Sequence, residues 1–249
     1  MLDAHKHTSR PRLTLTSLAV WPSVVFVLVA GTLQLGGIDQ LITQIFFDPL
    51  ENVFPLKHNF WTEQIIHNGG RRVIISIATT ALVAYLLSLQ GKWLADYRRP
   101  LAYFLWVLVL SVLAANIGKA LTNVDCPWDL VQYGGTRFQF GLFEDKPPVL
   151  PRGRCFPGGH SSSGFALFAL YFIGRKYDFP RAWLSLLPAT LFGGLFALGQ
   201  WSRGAHFPSH DLTSAYICWM IALGCYVLVF RQRFTKDARL MSTIARFFH

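Results

Sequence analysis

Long runs of apolar residues, separated by short polar segments, dominate the chain. Six of these runs approach the length of about 20 apolar residues that a helix needs to cross the hydrocarbon core of a bilayer. They cover roughly residues 17 to 36, 72 to 89, 100 to 118, 160 to 175, 182 to 201 and 211 to 230. The pattern therefore predicts an all-α polytopic membrane protein with six transmembrane helices in one bundle.

The composition agrees with a membrane location. Of the 249 residues, 52% are hydrophobic and only 14% are charged. Soluble globular domains carry about 25% charged residues. The net charge of +10 does not indicate a nucleic-acid-binding protein, because no basic stripe is interleaved with exposed aromatic residues. We expect the lipid bilayer to be the main partner, and the sequence identifies no protein partner.

The positions of the basic residues predict the orientation of the bundle. Lys and Arg are concentrated in the N-terminal tail, in the loops after spans two and four, and in the C-terminal tail. These four segments lie on one face, which the positive-inside rule makes cytoplasmic, so both termini are predicted to be cytoplasmic. The residues are Lys6, Arg10, Arg12, Lys92, Arg98, Arg99, Arg175, Lys176, Arg181, Arg231, Arg233, Lys236 and Arg239.

The segment FWTEQIIHNGG precedes the second predicted span. It is compatible with a short amphipathic helix at about residues 58 to 68 that lies at the membrane interface, with Phe60, Trp61, Ile65 and Ile66 in lipid. An ordinary loop with buried aromatic residues is the alternative. Because no internal repeat or low-complexity tract divides the chain, residues 1 to 249 are interpreted as one membrane domain.

Polar residues gather at the outer ends of spans three to six, which a bundle brings together on one face. Two histidines, an aspartate, a lysine and an arginine suit phosphate chemistry: the cations neutralise oxygens, one imidazole attacks phosphorus and another protonates the leaving oxygen. Gly158 and Gly159 would add backbone N–H groups at a helix start, which favours an anion. The cluster comprises Lys119, His160, Arg203, His206, His210 and Asp211.

The same segments give no indication of a metal or another cofactor. No Cys/His set has zinc-ligand spacing, and the outer loops lack the paired carboxylates that would hold magnesium. We therefore expect a metal-independent reaction without a cofactor.

The order of these polar motifs resembles the type 2 phosphatidic acid phosphatase (PAP2) superfamily, in its integral-membrane branch. That signature is lysine, six residues, arginine and proline; then Pro-Ser-Gly-His; then Ser-Arg, five residues, histidine, three residues and aspartate. The resemblance covers about residues 116 to 215. The counterparts here are Lys119 with Pro127, Pro157-Gly158-Gly159-His160, and Ser202-Arg203 with His206 and Asp211.

The resemblance implies a role for each matching residue. His206 would be the nucleophile that forms a phosphohistidine, Asp211 would orient it, and His160 would protonate the leaving group. His210 paired with Asp211 is the competing assignment, and we prefer His206 because HFPS resembles the turn after the family's nucleophile. The implied phosphate-binding residues are Lys119, Arg203, Gly158 and Gly159. Alternatively, His160 and Asp211 only cap their helices.

Four positions depart from the family's pattern. Cys126 stands in place of the first-motif arginine, and Gly158 stands in place of the serine. Arg203 precedes His206 by three residues instead of six, and one extra residue separates His206 from Asp211. Candidates for the missing guanidinium are Arg154, Arg137 and Arg152, and the candidate for the missing hydroxyl is Ser161.

The four cysteines fall into two pairs. Cys126 and Cys155 are both on the outer face, where a bacterial periplasm would permit a disulfide. We predict that this disulfide ties the first motif to the second, with two free thiols as the alternative. Cys218 and Cys225 lie within span six and are expected to be packing residues.

The resulting functional hypothesis is a metal-independent phosphatase of a bacterial inner (cytoplasmic) membrane. It would hydrolyse a membrane lipid phosphate or diphosphate at the periplasmic face. A lipid phosphotransferase with the same intermediate and a non-catalytic lipid-phosphate binder are the alternatives. Candidate substrates are phosphatidic acid, phosphatidylglycerophosphate, undecaprenyl pyrophosphate and the phosphates of lipid A, and the sequence does not choose among them.

Overall fold

The computed structural model describes residues 14–91, 94–142 and 144–230. Within these ranges the chain is helical and forms no β-strand, only two isolated bridges, Asp48 with Val53 and Leu130 with Arg137. The prediction of an all-α fold is therefore confirmed. The basic residues of both tails, and Lys92, which were used to predict the orientation of the bundle, lie outside the described residues. The orientation stays a prediction.

The helices follow the apolar runs closely. A π-helix, Trp61–Gly69, leads without a break into α3, and 3₁₀ turns lie at Ala95–Tyr97, Pro127–Asp129, Val131–Tyr133, Ala166–Phe168 and Ala182–Leu186. The α-helices are α1 (Leu15–Leu35), α2 (Ile38–Gln44), α3 (Gly70–Gln90), α4 (Arg98–Leu121), α5 (Gly159–Phe165), α6 (Ala169–Lys176), α7 (Leu187–Ser202) and α8 (Pro208–Val229).

Five helical segments of the described chain are long and apolar enough to cross a membrane. The fourth predicted span, 160 to 175, is helical as well, but it is not among the five. It consists of α5 and α6 joined by the turn at Ala166–Phe168, and its first turn is polar. The five segments are Leu15–Leu35, Trp61–Gln90, Ala95–Leu121, Ala182–Ser202 and Pro208–Val229.

The core of the bundle lies where α4, α5, α6, α7 and α8 meet. Tyr103, Phe172 and Phe196 are fully buried there, and the Tyr103 hydroxyl donates to the carbonyl oxygen of Ala222 at 2.9 Å. The α5 and α7 backbones approach closely at Gly164, where a Cβ atom would lie 2.5 Å from the backbone nitrogen of Gly193. Small residues at such contacts are typical of helices that pack in membranes.

Large apolar side chains cover the outer faces of the bundle. Trp21 of α1, Leu82 of α3, Trp106 of α4 and Leu191 of α7 are all exposed. Soluble monomers rarely expose contiguous apolar surface of this extent. These faces are therefore suited to contact with lipid chains.

The long loop after α4 is anchored by a buried carboxylate. Asp125 pairs with Arg137 (2.7 Å) and with Lys146 (2.5 Å). The Trp128 amide donates to the Gly204 carbonyl oxygen at 2.9 Å, which fastens the loop to the turn between α7 and α8. The loop is thus fixed against the end of the bundle that carries the polar motifs.

The segment at 58 to 68, predicted as a short interfacial helix, forms most of the π-helix. Phe60, Trp61 and Ile65 are exposed, as contact with lipid requires. Ile66 instead packs on α7, where a Cβ atom on Gly199 would lie 2.8 Å from Ile66 Cγ2. The segment is continuous with α3, and its contact with α7 directs its last turn toward the polar end of the bundle.

Candidate active site

The turn between α7 and α8 places the predicted nucleophile beside its aspartate. Gly204 in this turn has a φ of 68°, a conformation that favours glycine, and a Cβ atom there would lie 2.4 Å from the ring of Phe54. The turn brings His206 back to the first turn of α8, where His206 Nδ1 lies 2.9 Å from Asp211 Oδ1. His206 is 6% exposed and Asp211 is 1% exposed. The pair is therefore largely shielded from water.

Three donors hold the Asp211 carboxylate in place. Ser161 Oγ donates to Oδ1 at 2.5 Å, Trp201 Nε1 donates to Oδ2 at 2.7 Å, and His206 Nδ1 completes the set. A buried carboxylate is costly unless it is hydrogen-bonded, and it acts only as an acceptor. His206 therefore carries its Nδ1 proton toward Asp211, which leaves the Nε2 lone pair for attack.

His210, the competing nucleophile, faces a different environment. It makes a hydrogen bond with the backbone of Cys155 and packs edge-on against Phe156 (5.3 Å between ring centroids) and Phe207 (5.5 Å). Its Nδ1 atom is buried without a hydrogen-bond partner in the described part of the chain. Of the two candidates, His206 is therefore the one that the structure pairs with Asp211.

Gly158 does not have the role that was expected of its amide. Its N–H donates to the carbonyl oxygen of His210 at 3.1 Å, and its own carbonyl oxygen accepts from Ser162 Oγ (2.6 Å) and Ser214 Oγ (2.7 Å). A Cβ atom on Gly158 would lie 2.0 Å from Asp211 Oδ1. Glycine replaces the family's serine here because the carboxylate occupies the space of a side chain.

Ser161 also differs from the prediction. It was the candidate for the missing phosphate-binding hydroxyl, but it is fully buried and donates to Asp211. Its hydroxyl therefore orients the aspartate and does not face a substrate.

Lys119 lies over the start of α5. Its Nζ atom donates to the carbonyl oxygen of Arg154 at 3.1 Å, and its charge acts on Asp211. A Cβ atom on Gly159 would lie 3.0 Å from Lys119 Cε, so the glycine leaves room for the lysine side chain. Lys119 thus lies near the Asp211 carboxylate and the start of α5.

The three arginines proposed for the missing guanidinium differ in their contacts. Arg154 is exposed and reaches Lys119 through its backbone carbonyl. Arg137 pairs with Asp125, and Arg152 donates to the carbonyl oxygen of Ala120. Arg137 and Arg152 therefore fix the loop after α4.

Arg203 is the C-cap residue of α7, in the turn that leads to His206. It is 7% exposed, its Nε atom donates to the Lys57 carbonyl oxygen at 3.0 Å, and its Nη2 atom is 3.9 Å from Glu63 Oε1. Its guanidinium also lies over the ring of Trp128, 6.0 Å from the centroid. Burial lowers the pKa of Arg203 because desolvation penalises the charged form. The charge of Arg203 is therefore poorly solvated.

His160, the predicted acid, stands at the first turn of α5 between two rings. Its centroid lies 4.3 Å from that of His67 and 4.4 Å from that of Phe196. It makes a hydrogen bond with the backbone of Ile66, and it interacts electrostatically with His206. His160 and His206 therefore belong to one site.

His67 and its hydrogen-bond partner Gln200 were not predicted from the sequence to be site residues. Gln200 Nε2 lies 2.7 Å from His67 Nδ1, which joins the π-helix to α7. The signal that would have found His67 is a histidine at the polar end of a predicted span, in the segment interpreted only for its lipid contacts. Among the described residues no group of three or more His, Cys, Asp or Glu side chains forms a metal site.

Cys126 and Cys155 are joined by a disulfide, with their Cα atoms 5.1 Å apart. It links the loop after α4 to the segment before α5. Arg154, which binds Lys119 through its carbonyl, directly precedes Cys155. Cys218 and Cys225 are buried as free thiols in α8.

We expect the Cys126→Ser/Cys155→Ser variant to unfold at a temperature roughly 5 to 15 °C lower than the wild type. A cross-link over such a loop contributes about 2 to 4 kcal/mol, and each kcal/mol shifts the midpoint by about 2 to 4 °C in a chain of this size. The measurement is thermal unfolding in detergent with and without reductant.

Reductant should lower the midpoint of the wild type and leave that of the double variant unchanged. Mass spectrometry of the wild type, purified without reductant, provides the direct check. Detection of both thiols as free would contradict the disulfide.

Comparison with known proteins identifies the family of the chain. The family model described as PAP2 superfamily matches residues 100–234, more than half of the 249-residue chain. The match contains Lys119, His160, His206 and Asp211, whereas His67 lies before it. No curated protein and no solved structure matches the chain. The chain belongs to the PAP2 superfamily.

Proposed function

We propose that the protein is a membrane phosphatase that hydrolyses a lipid phosphate or diphosphate through a phosphohistidine on His206. The observation that carries the proposal is the buried pairing of His206 Nδ1 with Asp211 Oδ1 at 2.9 Å, beside His160. Members of the PAP2 superfamily are generally phosphatases. A capping role alone would not require Asp211 to bind a histidine, a serine and a tryptophan at once.

The proposed reaction has two steps. In the first, His206 Nε2 attacks phosphorus, the bond between phosphorus and the lipid oxygen breaks, and His160 donates a proton to that oxygen. In the second, a water molecule attacks the phosphohistidine, His160 takes its proton, and inorganic phosphate leaves as the bond to His206 breaks. Asp211 stabilises the positive charge on His206, while Lys119 and Arg203 neutralise the phosphate oxygens.

A lipid substrate is supported by a second feature, an apolar cavity of about 720 Å³ between α3, α4 and α6. Ile77, Leu101, Phe104 and Leu170 contribute to its lining, and Arg72 stands at the α3 start. This volume lies within the range of about 300 to 1,000 Å³ that is typical of ligand pockets. Arg72 lies toward the polar end of the bundle, whereas Tyr97, Pro100 and Ile173 lie toward the opposite end, so the cavity offers an apolar surface to an acyl or prenyl chain.

The proposed location is a bacterial inner membrane, with six spans, cytoplasmic termini and the site at the periplasmic face. Five apolar helices together with α5 and α6 supply the spans. A disulfide at the polar end suits an oxidising compartment. The substrate phosphate would stand at headgroup height on that side.

Phosphate release from a panel of lipid phosphates tests the proposed function. The purified protein in detergent micelles is expected to release inorganic phosphate from at least one of phosphatidic acid, phosphatidylglycerophosphate, undecaprenyl pyrophosphate and lipid A. The rate should be the same with an excess of EDTA, because Lys119 and Arg203 supply the positive charge.

The control is the same preparation after heat denaturation. Loss of the lipid phosphate without release of inorganic phosphate would identify a phosphotransferase instead. Binding without any turnover would identify a lipid-phosphate binder, and a rate that disappears with EDTA would contradict the metal-independent mechanism.

A further inference from the structure

The last turn of the π-helix brings a further histidine, His67, into the site. Its ring centroid lies 4.3 Å from that of His160. His67 is outside the residues that the family model matches, and no part of the two-step reaction above uses it. Its ring nevertheless lies against that of the proposed acid.

The contact with Gln200 fixes which nitrogen of His67 carries the proton. Gln200 is buried, and its amide nitrogen lies 2.7 Å from His67 Nδ1. An amide nitrogen only donates, so Nδ1 accepts this hydrogen bond. A neutral imidazole that accepts at Nδ1 carries its proton on Nε2. His67 therefore offers an N–H donor at the ring position away from Gln200.

This donor lies in a predominantly positive corner of the site. The charges of Arg203 and Arg71 act on His67, and Arg71 follows it by four residues at the start of α3. Glu63 is the carboxylate near His67, and its Oε1 atom lies 3.9 Å from Arg203 Nη2. The excess of positive charge favours an anion next to His67.

The first motif lacks the guanidinium that the family signature carries. Cys126 stands at that position, and its sulfur is engaged in the disulfide with Cys155. Arg137 and Arg152 are engaged in the loop. The site therefore has one cationic donor fewer than the family signature, and His67 offers an N–H donor beside His160.

We propose that His67 is a phosphate-binding residue that donates from Nε2 to a phosphate oxygen on the side of His160. It adds a donor to those of Lys119 and Arg203 and is held in the donating tautomer by Gln200. The proposal rests on the proposed function to the extent that the site must accept a phosphate. It concerns binding, so it is testable without turnover.

Two substitutions at His67 separate phosphate binding from a structural role. Asparagine places its carbonyl oxygen near the position of Nδ1, where it can still accept from Gln200, but it has no donor at the position of Nε2. Glutamine places its amide nitrogen near Nε2. We expect His67→Asn to weaken the binding of inorganic phosphate about 10- to 100-fold, the effect of losing one hydrogen bond to a charged group. His67→Gln should retain most of the affinity.

Isothermal titration of the full-length protein in detergent with inorganic phosphate provides the measurement. If His67 served only to bind Gln200, the order would reverse and His67→Asn would be the better binder. Equal affinities of the two variants and the wild type would overturn the proposal. The control is Gln90→Asn, because this exposed residue lies at the opposite end of α3 from His67; its affinity should be unchanged.

A measurement on the wild type covers the case in which a variant does not fold. In protein labelled with ¹⁵N-histidine, phosphate should shift the Nε2 resonance of His67, and a resonance that does not move would refute the proposal. Wild-type protein that binds phosphate through His67 but hydrolyses no lipid phosphate would overturn the proposed function alone. Protein that hydrolyses lipid phosphates while both variants bind phosphate normally would overturn the role of His67 alone.

Discussion

Replacing His206 with alanine is expected to lower phosphate release about 10⁴-fold or more, the usual cost of removing a nucleophile. His206 is the histidine whose Nδ1 is bonded to the buried Asp211, so its Nε2 is the atom positioned to attack phosphorus. Rapid quenching in alkali, in which phosphohistidine is stable, should trap labelled wild-type protein from a ³²P-labelled lipid phosphate. The variant should trap none.

The matched control is His210→Gln, four residues along the chain. His210 is buried, and it contacts the backbone of Cys155 instead of Asp211. Glutamine retains a polar side chain that can reach this backbone, so phosphate release should stay within about tenfold of the wild type, the cost of one neutral hydrogen bond. An inactive His210→Gln together with an active His206→Ala would reverse the assignment.

The membrane helices were predictable because length and apolarity determine them locally. The α8 prediction of 211 to 230 compares with Pro208–Val229 in the structure, and the α4 prediction of 100 to 118 compares with Arg98–Leu121. The π-helix and α2 were not predicted as such, because their segments mix polar and apolar residues over short lengths. Their form depends on contacts such as that of Ile66 with Gly199.

The order of the motifs predicted which residues form the site, but not which atoms they contact. The positions of Lys119, His160, His206 and Asp211 at helix ends placed them on one face, and the structure brings them together. The partners of individual atoms were not predictable in the same way. Ser161 binds Asp211, fifty residues further along, and Gln200 meets His67 from 133 residues away. Such contacts depend on how the helices pack, which no local pattern records.

Gly158→Ser would restore the serine of the family signature, yet we expect it to lower phosphate release about 10²-fold or more. The new Cβ atom would lie 2.0 Å from Asp211 Oδ1 and 2.8 Å from Ser161 Oγ. Asp211 would have to move away from His206, or α5 would have to move from α8. A displacement of about 1 Å at a catalytic group can cost about 10²-fold in rate. Steady-state phosphate release by the purified variant provides the measurement.

The matched control is Gly224→Ser in α8, the helix that carries Asp211. A Cβ atom on Gly224 would meet no heavy atom within 4 Å, so this serine should leave phosphate release unchanged. Thermal unfolding of both variants distinguishes a displaced aspartate from global unfolding, since overpacking alone costs about 1 to 3 kcal/mol. Wild-type activity in Gly158→Ser would mean that the serine fits beside Asp211. A steric conflict with the Asp211 carboxylate would then not explain why position 158 is glycine instead of the family's serine.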